Sequence, residues 1–450
     1  MPTAAFANLG CKVNQYETDR MIAAFAARGF AIGDFDEPAD IYVINTCSVT
    51  GAADRKSRHM ARRASRRKDG AKVVLTGCFA QRAIDLGEPV EGAALLVPNR
   101  EKMRVADLAL RAFPELSPAD APALPPAAGE IAVFPEQAGL IDLQVNRAAP
   151  LRLAHTRATL KVQDGCRHFC AFCSIPYTRD TMASRALDAV VDEARQLARS
   201  GVKEVVVTGV CVGAYRDEAS GAGLSDLLAA VASVPGLARV RLSSLQPIET
   251  DDALIETLAA YPALCPHLHL SLQSGDDAVL AAMQRPYDTA YYRALVARLR
   301  ARLPRIALTT DIIVGFPGET EALFESTCRF AEEMAFSRVH IFRYSPRERT
   351  YAERELRDDV SPAEKERRHK ALAMVCGESQ RRFAEKLIGE TVEVIVEGRG
   401  RAAGLAMGYT DTYVRVHLPA EGCAHGDMAR ARVESVTSDG DAVAGKAMTE

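Results

Sequence analysis

The stretch "DGCRHFCAFC", residues 164–173, places Cys166, Cys170 and Cys173 in the order C-x₃-C-x₂-C, and no fourth cysteine follows nearby. A closed tetrahedral zinc site or a fully protein-ligated iron–sulfur cluster takes four ligands. Three thiolates can instead hold three irons of a cubane 4Fe-4S cluster and leave the fourth iron open to a small molecule. Spacing alone leaves a second option: a zinc ion that draws a distant fourth ligand from His168, Cys211 or Cys265.

A second set of cysteines is dispersed. Three apolar, strand-like runs each end in one: "AAFANLGC" at Cys11, "DIYVINTC" at Cys47 and "KVVLTGC" at Cys78. Helical segments follow each run. In an open α/β sheet the ligand crevice lies beyond the carboxyl ends of the strands, so these three side chains are expected to converge on a shared metal site. The plain alternative is three buried thiols of the kind cytosolic proteins carry. Three cysteines in the same structural position favour the metal site.

The elements that must position these cysteines give an α/β fold class. Strand patterns at Ala158–Gln163, Glu204–Thr208, Arg239–Ser243, His267–Leu272, Ile306–Val314 and Arg338–Phe342 alternate with amphipathic helices, among them Asp188–Ser200, Leu224–Val234, Thr289–Arg302 and Thr320–Met334. Six such repeats predict a partial (β/α)6 barrel, whose chemistry sits at the carboxyl ends of its strands. The expected division is an N-terminal open α/β sheet domain over residues 1–112, a Pro/Ala-rich linker over 113–150, the barrel over 151–385 and a small all-β barrel over 386–450. A long helix is expected from Pro362, and the tail's strands are read at "TVEVIVEG", "TYVRVHL" and "MARARVESV".

Composition narrows the class. Among 450 residues 48% are hydrophobic, ample for large cores, and no run approaches a membrane span. The N-terminus shows no basic region followed by an apolar stretch, so a cytoplasmic location is expected. Eleven cysteines, an odd number, favour metal or redox chemistry over a disulfide framework. A net charge of −3 argues neither for nor against nucleic acid.

Phe172, directly before Cys173, sits where radical S-adenosylmethionine (SAM) enzymes place an aromatic. Over its full length the chain resembles the radical SAM methylthiotransferases, which join an N-terminal domain, a radical SAM barrel and a TRAM-type β-barrel. The blocks "NLGCKVNQYE", "INTCSVT", "VLTGC", "VQDGCRHFCAFCSIPYTR", "HLHLSLQSG" and "TTDIIVGFPGET" are similar to the branch acting on threonylcarbamoyladenosine in tRNA, and Lys12–Val13–Asn14 after the first cysteine sets that branch apart. The resemblance implies two 4Fe-4S clusters, one on Cys11, Cys47 and Cys78 and one on Cys166, Cys170 and Cys173. It implies S-adenosyl-L-methionine as radical source and methyl donor, and a methylthio group inserted at carbon 2 of the modified adenosine next to the anticodon. Such a C–H bond offers no acidic proton and no leaving group, so a cofactor must supply the hard chemistry. The implied partners are the tRNA substrate, an electron donor such as a flavodoxin or ferredoxin, and a sulfur donor, with no role for membrane or DNA.

The same resemblance points to Phe172, Gly209, Ser271, Gln273, Ser274, Ile313 and Gly315 as contacts of the SAM cofactor. Each also reads as a turn glycine, a polar strand cap or core. For RNA the leading candidate is "RKSRHMARRASRRK", residues 55–68, with eight Lys or Arg and no acid; Arg62, Arg63, Arg66 and Arg67 are its expected phosphate contacts. A weaker candidate is the helix with Arg367, Arg368, Arg381 and Arg382. The tail, residues 386–450, holds seven Lys or Arg against ten Asp or Glu, so any RNA contact there relies on local geometry. Cys211 stands where the branch more often has histidine or asparagine, and "TRDTMASR" carries fewer arginines than relatives show. Alternatives to the tRNA reading are a methylthiotransferase for another modified adenosine or for a ribosomal-protein side chain, and a non-enzymatic zinc or iron–sulfur RNA-binding protein.

Overall fold

The computed structural model describes residues 1–118, 156–400 and 402–449. Residues 119–150 of the expected linker lie outside the described residues; of its first six, Pro114–Leu116 form one 3-10 turn. The described chain forms two compact units that do not follow chain order. The first gathers residues 1–118, 163–183 and 345–354, and the second gathers 156–162, 184–344 and 355–449.

The first unit is built on a five-stranded parallel sheet, β1 (Thr3–Asn8), β2 (Ala31–Gly33), β3 (Ile41–Thr46), β4 (Lys72–Gly77) and β5 (Leu95–Leu96), in the spatial order β2-β1-β3-β4-β5. Every residue of central β3 is buried, which explains its unbroken run "IYVINT": helices cover both faces, so no polar alternation survives. Tyr42, Ile44, Val73 and Leu75 pack on one side with Phe79; Ile41, Val43 and Val74 pack on the other with Met21 and Phe25. The helices are α1 (Lys12–Ala26), α2 (Gly51–Ser65), α3 (Cys78–Asp85) and α4 (Val105–Ala112). Edge strands β2 and β5 have three and two residues, short enough to offer little template for further pairing.

The second unit contains the predicted barrel strands: β6 (Arg157–Asp164, its last two residues belonging to the first unit), β8 (Glu204–Gly209), β9 (Arg239–Leu242), β11 (His267–Leu270), β12 (Ala307–Val314) and β13 (Arg338–Arg343). With the two-residue strands β7 (Ala183–Ser184) and β10 (Ser244–Leu245) they form two four-stranded sheets, β7-β6-β8-β9 and β10-β11-β12-β13, joined by a parallel bridge between Val240 and Leu264. Alternate residues (Leu160, Val205, Val240, Leu268, Leu308) turn to the helices and form the core, while Glu204, Arg241, His269 and Asp311 take the other face. The helix expected from Pro362 runs to Glu385, opened by Ser361, whose hydroxyl accepts from the Glu364 amide at 3.2 Å.

The tail is a closed five-stranded barrel of β14 (Thr391–Arg399), β15 (Leu405–Tyr409), β16 (Arg415–Pro419), β17 (Met428–Val436) and β18 (Ala442–Thr449). The three strands read from sequence are β14, β16 and β17. The two that were missed, "LAMGY" and "AVAGKAMT", are rich in Ala and Gly and carry almost no β-branched residues. Gly408 explains part of this: a Cβ there would lie 2.1 Å from the Ile395 carbonyl oxygen, so the barrel's closeness at that point demands glycine.

Candidate functional site

In the first unit the sheet register puts the ends of the cysteine-bearing strands in step. Asn8 of β1 pairs with Asn45 of β3, and Thr46 pairs with Gly77 of β4. Cys11 is the residue that opens α1, Cys78 is the first residue of α3, and Cys47 lies three residues before Thr50, which caps α2. Helix N-termini carry partial positive charge and unsatisfied N–H groups, a setting that favours thiolates. A Cβ on Gly10 would lie 3.1 Å from the Cβ of Cys47, so the backbone before Cys11 presses on that residue. Gly77 has φ +92°, and a Cβ there would lie 2.4 Å from the Thr46 carbonyl oxygen. Only glycine admits the turn that delivers Cys78 to its neighbours.

The three thiols act on one another. Burial pushes the Cys47 thiol up to about 12, an N–H from Val49 opposes this, and the nearby Cys78 and Cys11 raise it further. The set is all sulfur, with Cys78 buried, Cys47 half-buried and Cys11 exposed. It fits a cationic iron–sulfur centre that would take the charge. The strand register brings the three cysteine-bearing strand ends to one edge of the sheet.

Cys166, Cys170 and Cys173 lie in the same unit, on the loop that leaves β6. Gly165 (φ +80°) cannot carry a Cβ, which would lie 2.2 Å from the Thr181 carbonyl oxygen. Phe169 takes a left-handed conformation (φ +48°), and the Cys173 amide donates to the Cys170 carbonyl at 2.9 Å, so the chain curls on itself between the cysteines. Cys170 is buried and the other two are half-buried, as is Phe172. Three thiols on a curled loop suit an iron–sulfur cluster, and a ring nitrogen of His168 also lies within 4.8 Å of Cys166 Sγ.

Between the two sets lies a buried charge network that sequence reasoning missed. The Arg179 guanidinium donates to both carboxylate oxygens of Asp164 (2.9 and 3.1 Å), both of Glu17 (2.9 and 2.9 Å), and to Asn14 Oδ1 (3.0 Å). Lys102 Nζ lies 2.6 Å from Glu17 and donates to Asn99 Oδ1 at 3.0 Å. All six residues are buried. Burial alone would lower the Arg179 pKa, but Asp164, Glu17 and Cys78 hold it well above the ordinary value, so it stays charged. Asn99 Nδ2 approaches Cys78 Sγ at 3.8 Å and donates to the Thr178 carbonyl at 2.8 Å, and Cys11 Sγ approaches Asn14 Oδ1 at 3.7 Å. A cavity of about 660 Å³ has Asn99, Lys102, Asp164 and Arg179 in its wall. Asn14, Glu17, Asp164 and Arg179 lie inside the blocks quoted above, whereas Asn99 and Lys102 lie outside them.

Two family profiles match the chain: the radical SAM superfamily over residues 160–331, and an uncharacterized protein family, UPF0004, over residues 3–91. A threonylcarbamoyladenosine tRNA methylthiotransferase MtaB of Bacillus subtilis is 35% identical, with 92% of this chain and 90% of that protein aligned. Its namesake from Thermotoga maritima is 33% identical over 98% and 96%. The chain belongs to the radical SAM tRNA methylthiotransferases. A tRNA-2-methylthio-N(6)-dimethylallyladenosine synthase of Dehalococcoides mccartyi is also 33% identical, over 94% of both chains. Among solved structures, a radical SAM methyltransferase, TsrM of Kitasatospora setae, shares the fold at TM-score 0.52 and 17% identity, covering 95% of this chain and 82% of that one.

In this methylthiotransferase a 4Fe-4S cluster and SAM are the cofactors to be housed. Of the expected SAM contacts, Phe172 belongs to the first unit and the rest to the second. Gly209 closes β8. Gln273 (φ +73°) donates to the Asp311 carbonyl and accepts from the Ile313 amide, so Gln273 and Ile313 are neighbours at the ends of β11 and β12. Ile313 is half-buried between the buried Ile312 and Val314 and thus faces away from the core. The Ser271 carbonyl accepts from the Tyr287 hydroxyl at 2.5 Å. Ser274 is wholly buried, its hydroxyl 3.1 Å from that of Thr327. Gly315 (φ +70°) donates to Glu319 at 2.6 Å and packs on Lys365. The Cys211 thiol donates to Glu249 at 2.9 Å.

The basic stretch lies largely on α2. Arg62 faces Glu91 at 3.6 Å, Arg63 and Arg67 both pair with Asp36, and Lys68 pairs with Asp40. No ion pair is found for Arg55, Lys56 or Arg66 among the described residues, and all three are exposed. On the long helix, Arg368 is buried against Glu319 and Glu364, and Arg367, Arg381 and Arg382 each pair with glutamates. No helix among the described residues is long and apolar enough to cross a membrane.

Proposed function

We propose that this enzyme inserts a methylthio group at carbon 2 of threonylcarbamoyladenosine beside the anticodon of tRNA, with two 4Fe-4S clusters. The observation that carries the reading is the presence of two sets of three cysteines each in one compact unit. A cubane cluster with one iron not held by protein supplies, when bound, a chelation site for the methionine end of SAM and the electron that cleaves its sulfonium. The chain's own part is to orient and enclose. Cys166, Cys170 and Cys173 would hold the SAM-binding cluster, with Gly209, Gln273, Ile313 and Gly315 along the cofactor. Cys11, Cys47 and Cys78 would hold the second cluster, the station for incoming sulfur. Radicals are short-lived, so the sulfur source has to be held in place rather than recruited by diffusion.

Identity values alone separate the two adenosine branches by little. Lys12–Val13–Asn14 favours the threonylcarbamoyl branch, and Asn14 has a concrete task, donating to the Leu9 and Thr46 carbonyls (3.1 and 3.0 Å) across the strand ends. A flavodoxin- or ferredoxin-type reductant and a separate sulfur donor complete the proposed set of partners, and the proposed site of action is the cytoplasm. Nucleoside analysis of tRNA from a deletion strain tests the reading. Loss of methylthio-threonylcarbamoyladenosine with other methylthioadenosines intact is expected. Loss of methylthio-isopentenyladenosine instead would overturn the branch, and unchanged tRNA would overturn the substrate class.

A further inference from the structure

We propose that Arg179 is a positioning residue that locks the Cys166–Cys173 loop and the Cys11/Cys47/Cys78 ridge into one frame, so that radical formation and sulfur insertion stay coupled. The inference rests on the two-cluster reading above. It starts from what the guanidinium touches. Every one of its side-chain partners lies close in sequence to a cysteine: Asp164 stands two residues before Cys166, Asn14 three after Cys11 and Glu17 six after it, while Arg179 itself stands six after Cys173. Asn99 closes the circuit on the far side, holding the Thr178 carbonyl with the same amide nitrogen that approaches Cys78 Sγ.

Stability alone does not account for such a node. Two carboxylates and two cations buried together are usually no better for folding than well-packed apolar residues, because the desolvation of four charges offsets their attraction. What a buried guanidinium adds is direction. Its planar fork fixes the angle as well as the distance to each carboxylate, which a lysine cannot do. Direction is what this reaction needs, since a displacement of about 1 Å between reacting groups can cost on the order of a hundredfold.

The test compares Arg179→Lys and Arg179→Ala with the wild type, and uses Arg241→Lys as the control. Arg241 is an equally buried arginine of the second unit, bonded to Glu204 and to the Thr410 and Asp411 carbonyls, remote in sequence from all six cysteines. In Arg179→Lys we expect iron content and 5′-deoxyadenosine formation within about twofold of wild type, while methylthiolated nucleoside per 5′-deoxyadenosine falls at least about tenfold. In the metal-free protein, amides of residues 164–180 should exchange at least about tenfold faster with strand Ile41–Thr46 unchanged. Guanidinium ion should restore part of the product ratio in Arg179→Ala, because a cavity of about 660 Å³ adjoins that position. Arg241→Lys should leave the ratio unchanged. Eight irons with a normal ratio and normal exchange in Arg179→Lys overturns the inference alone, and so does an equal loss of ratio in Arg241→Lys. Four irons in the wild type overturns the two-cluster reading and the inference with it. If Arg179→Ala does not fold, Arg179→Lys and Glu17→Gln carry the same measurements.

Discussion

The two cysteine sets are built by opposite means. Cys166, Cys170 and Cys173 are neighbours in sequence, and one curled loop assembles them. Cys11, Cys47 and Cys78 come to one edge of the sheet only because three strands end in register, with α1 and α3 starting at Cys11 and Cys78. The first set needs little fold and a particular local conformation. The second needs the whole sheet. A substitution remote from the ridge can therefore dismantle it while leaving the loop intact, whereas damage to the loop must be local.

The largest effect is expected from the loop itself. Replacing Cys166, Cys170 and Cys173 together by alanine should abolish both 5′-deoxyadenosine and methylthiolated product, and about four irons per chain should remain on the ridge. Loss of all iron in that variant would mean that the ridge holds no centre of its own.

The next effect exchanges the two sets through their glycines. In Gly77→Ala the new methyl meets the Thr46 carbonyl at 2.4 Å in a left-handed backbone, so β4 and α3 must shift. A stability loss of roughly 2 kcal/mol or more is expected, with the ridge iron lost and the loop iron kept. Gly165→Ala meets the Thr181 carbonyl at 2.2 Å and should do the reverse, keeping the ridge iron. Unfolding in denaturant and iron assays on both variants check this; equal iron loss in the two would erase the distinction.

How legible each set was follows from how it is built. The loop spacing could be read directly, since its geometry is local. The ridge could be read because strands with unbroken apolar runs are easily recognised and the ends of parallel strands gather ligands. The six barrel strands were placed within one or two residues for the same reason. Arg179, Glu17 and Lys102 were not legible as a network: charged residues read as surface, and nothing in the spacing of positions 17, 102 and 179 shows that they meet. The basic stretch shows the same limit from the other side. Its partners Asp36, Asp40 and Glu91 lie outside it, so a run that looked uniformly cationic is partly neutralised once folded.

That pairing predicts a graded RNA effect. Changing Arg55, Lys56 and Arg66 to glutamine should lower the slope of log affinity against log salt by up to about two units for tRNA. The same change at Arg62, Arg63 and Arg67 should lower it less, because Asp36 and Glu91 compete for those cations. Unchanged slopes in both variants would return the whole stretch to a solvated face.

The smallest effect lies on α1, the helix that Cys11 opens, where a buried acid, Glu17, and a half-buried one, Asp19, keep different company. Glu17 is answered by Arg179 and Lys102. Asp19 is not so answered: burial raises its pKa to about 6, and only the attraction of adjacent Arg20 opposes that rise. A carboxyl whose folded pKa lies above its unfolded value gives its full contribution below about pH 4 and loses it as pH rises through 6. At neutral pH the folded chain therefore carries an ionised group that the unfolded chain solvates better. Asp19→Asn removes the ionisation and should stabilise the protein by roughly 1–2 kcal/mol at pH 7, a gain that fades to nothing by about pH 4. Denaturant unfolding of both proteins at pH 7 and pH 4 gives the difference directly. A gain that persists at pH 4 would assign the effect to packing or helix propensity. A loss at pH 7 would mean that Asp19, like Glu17, has a cation holding it in place, and the contrast between the two acids would disappear.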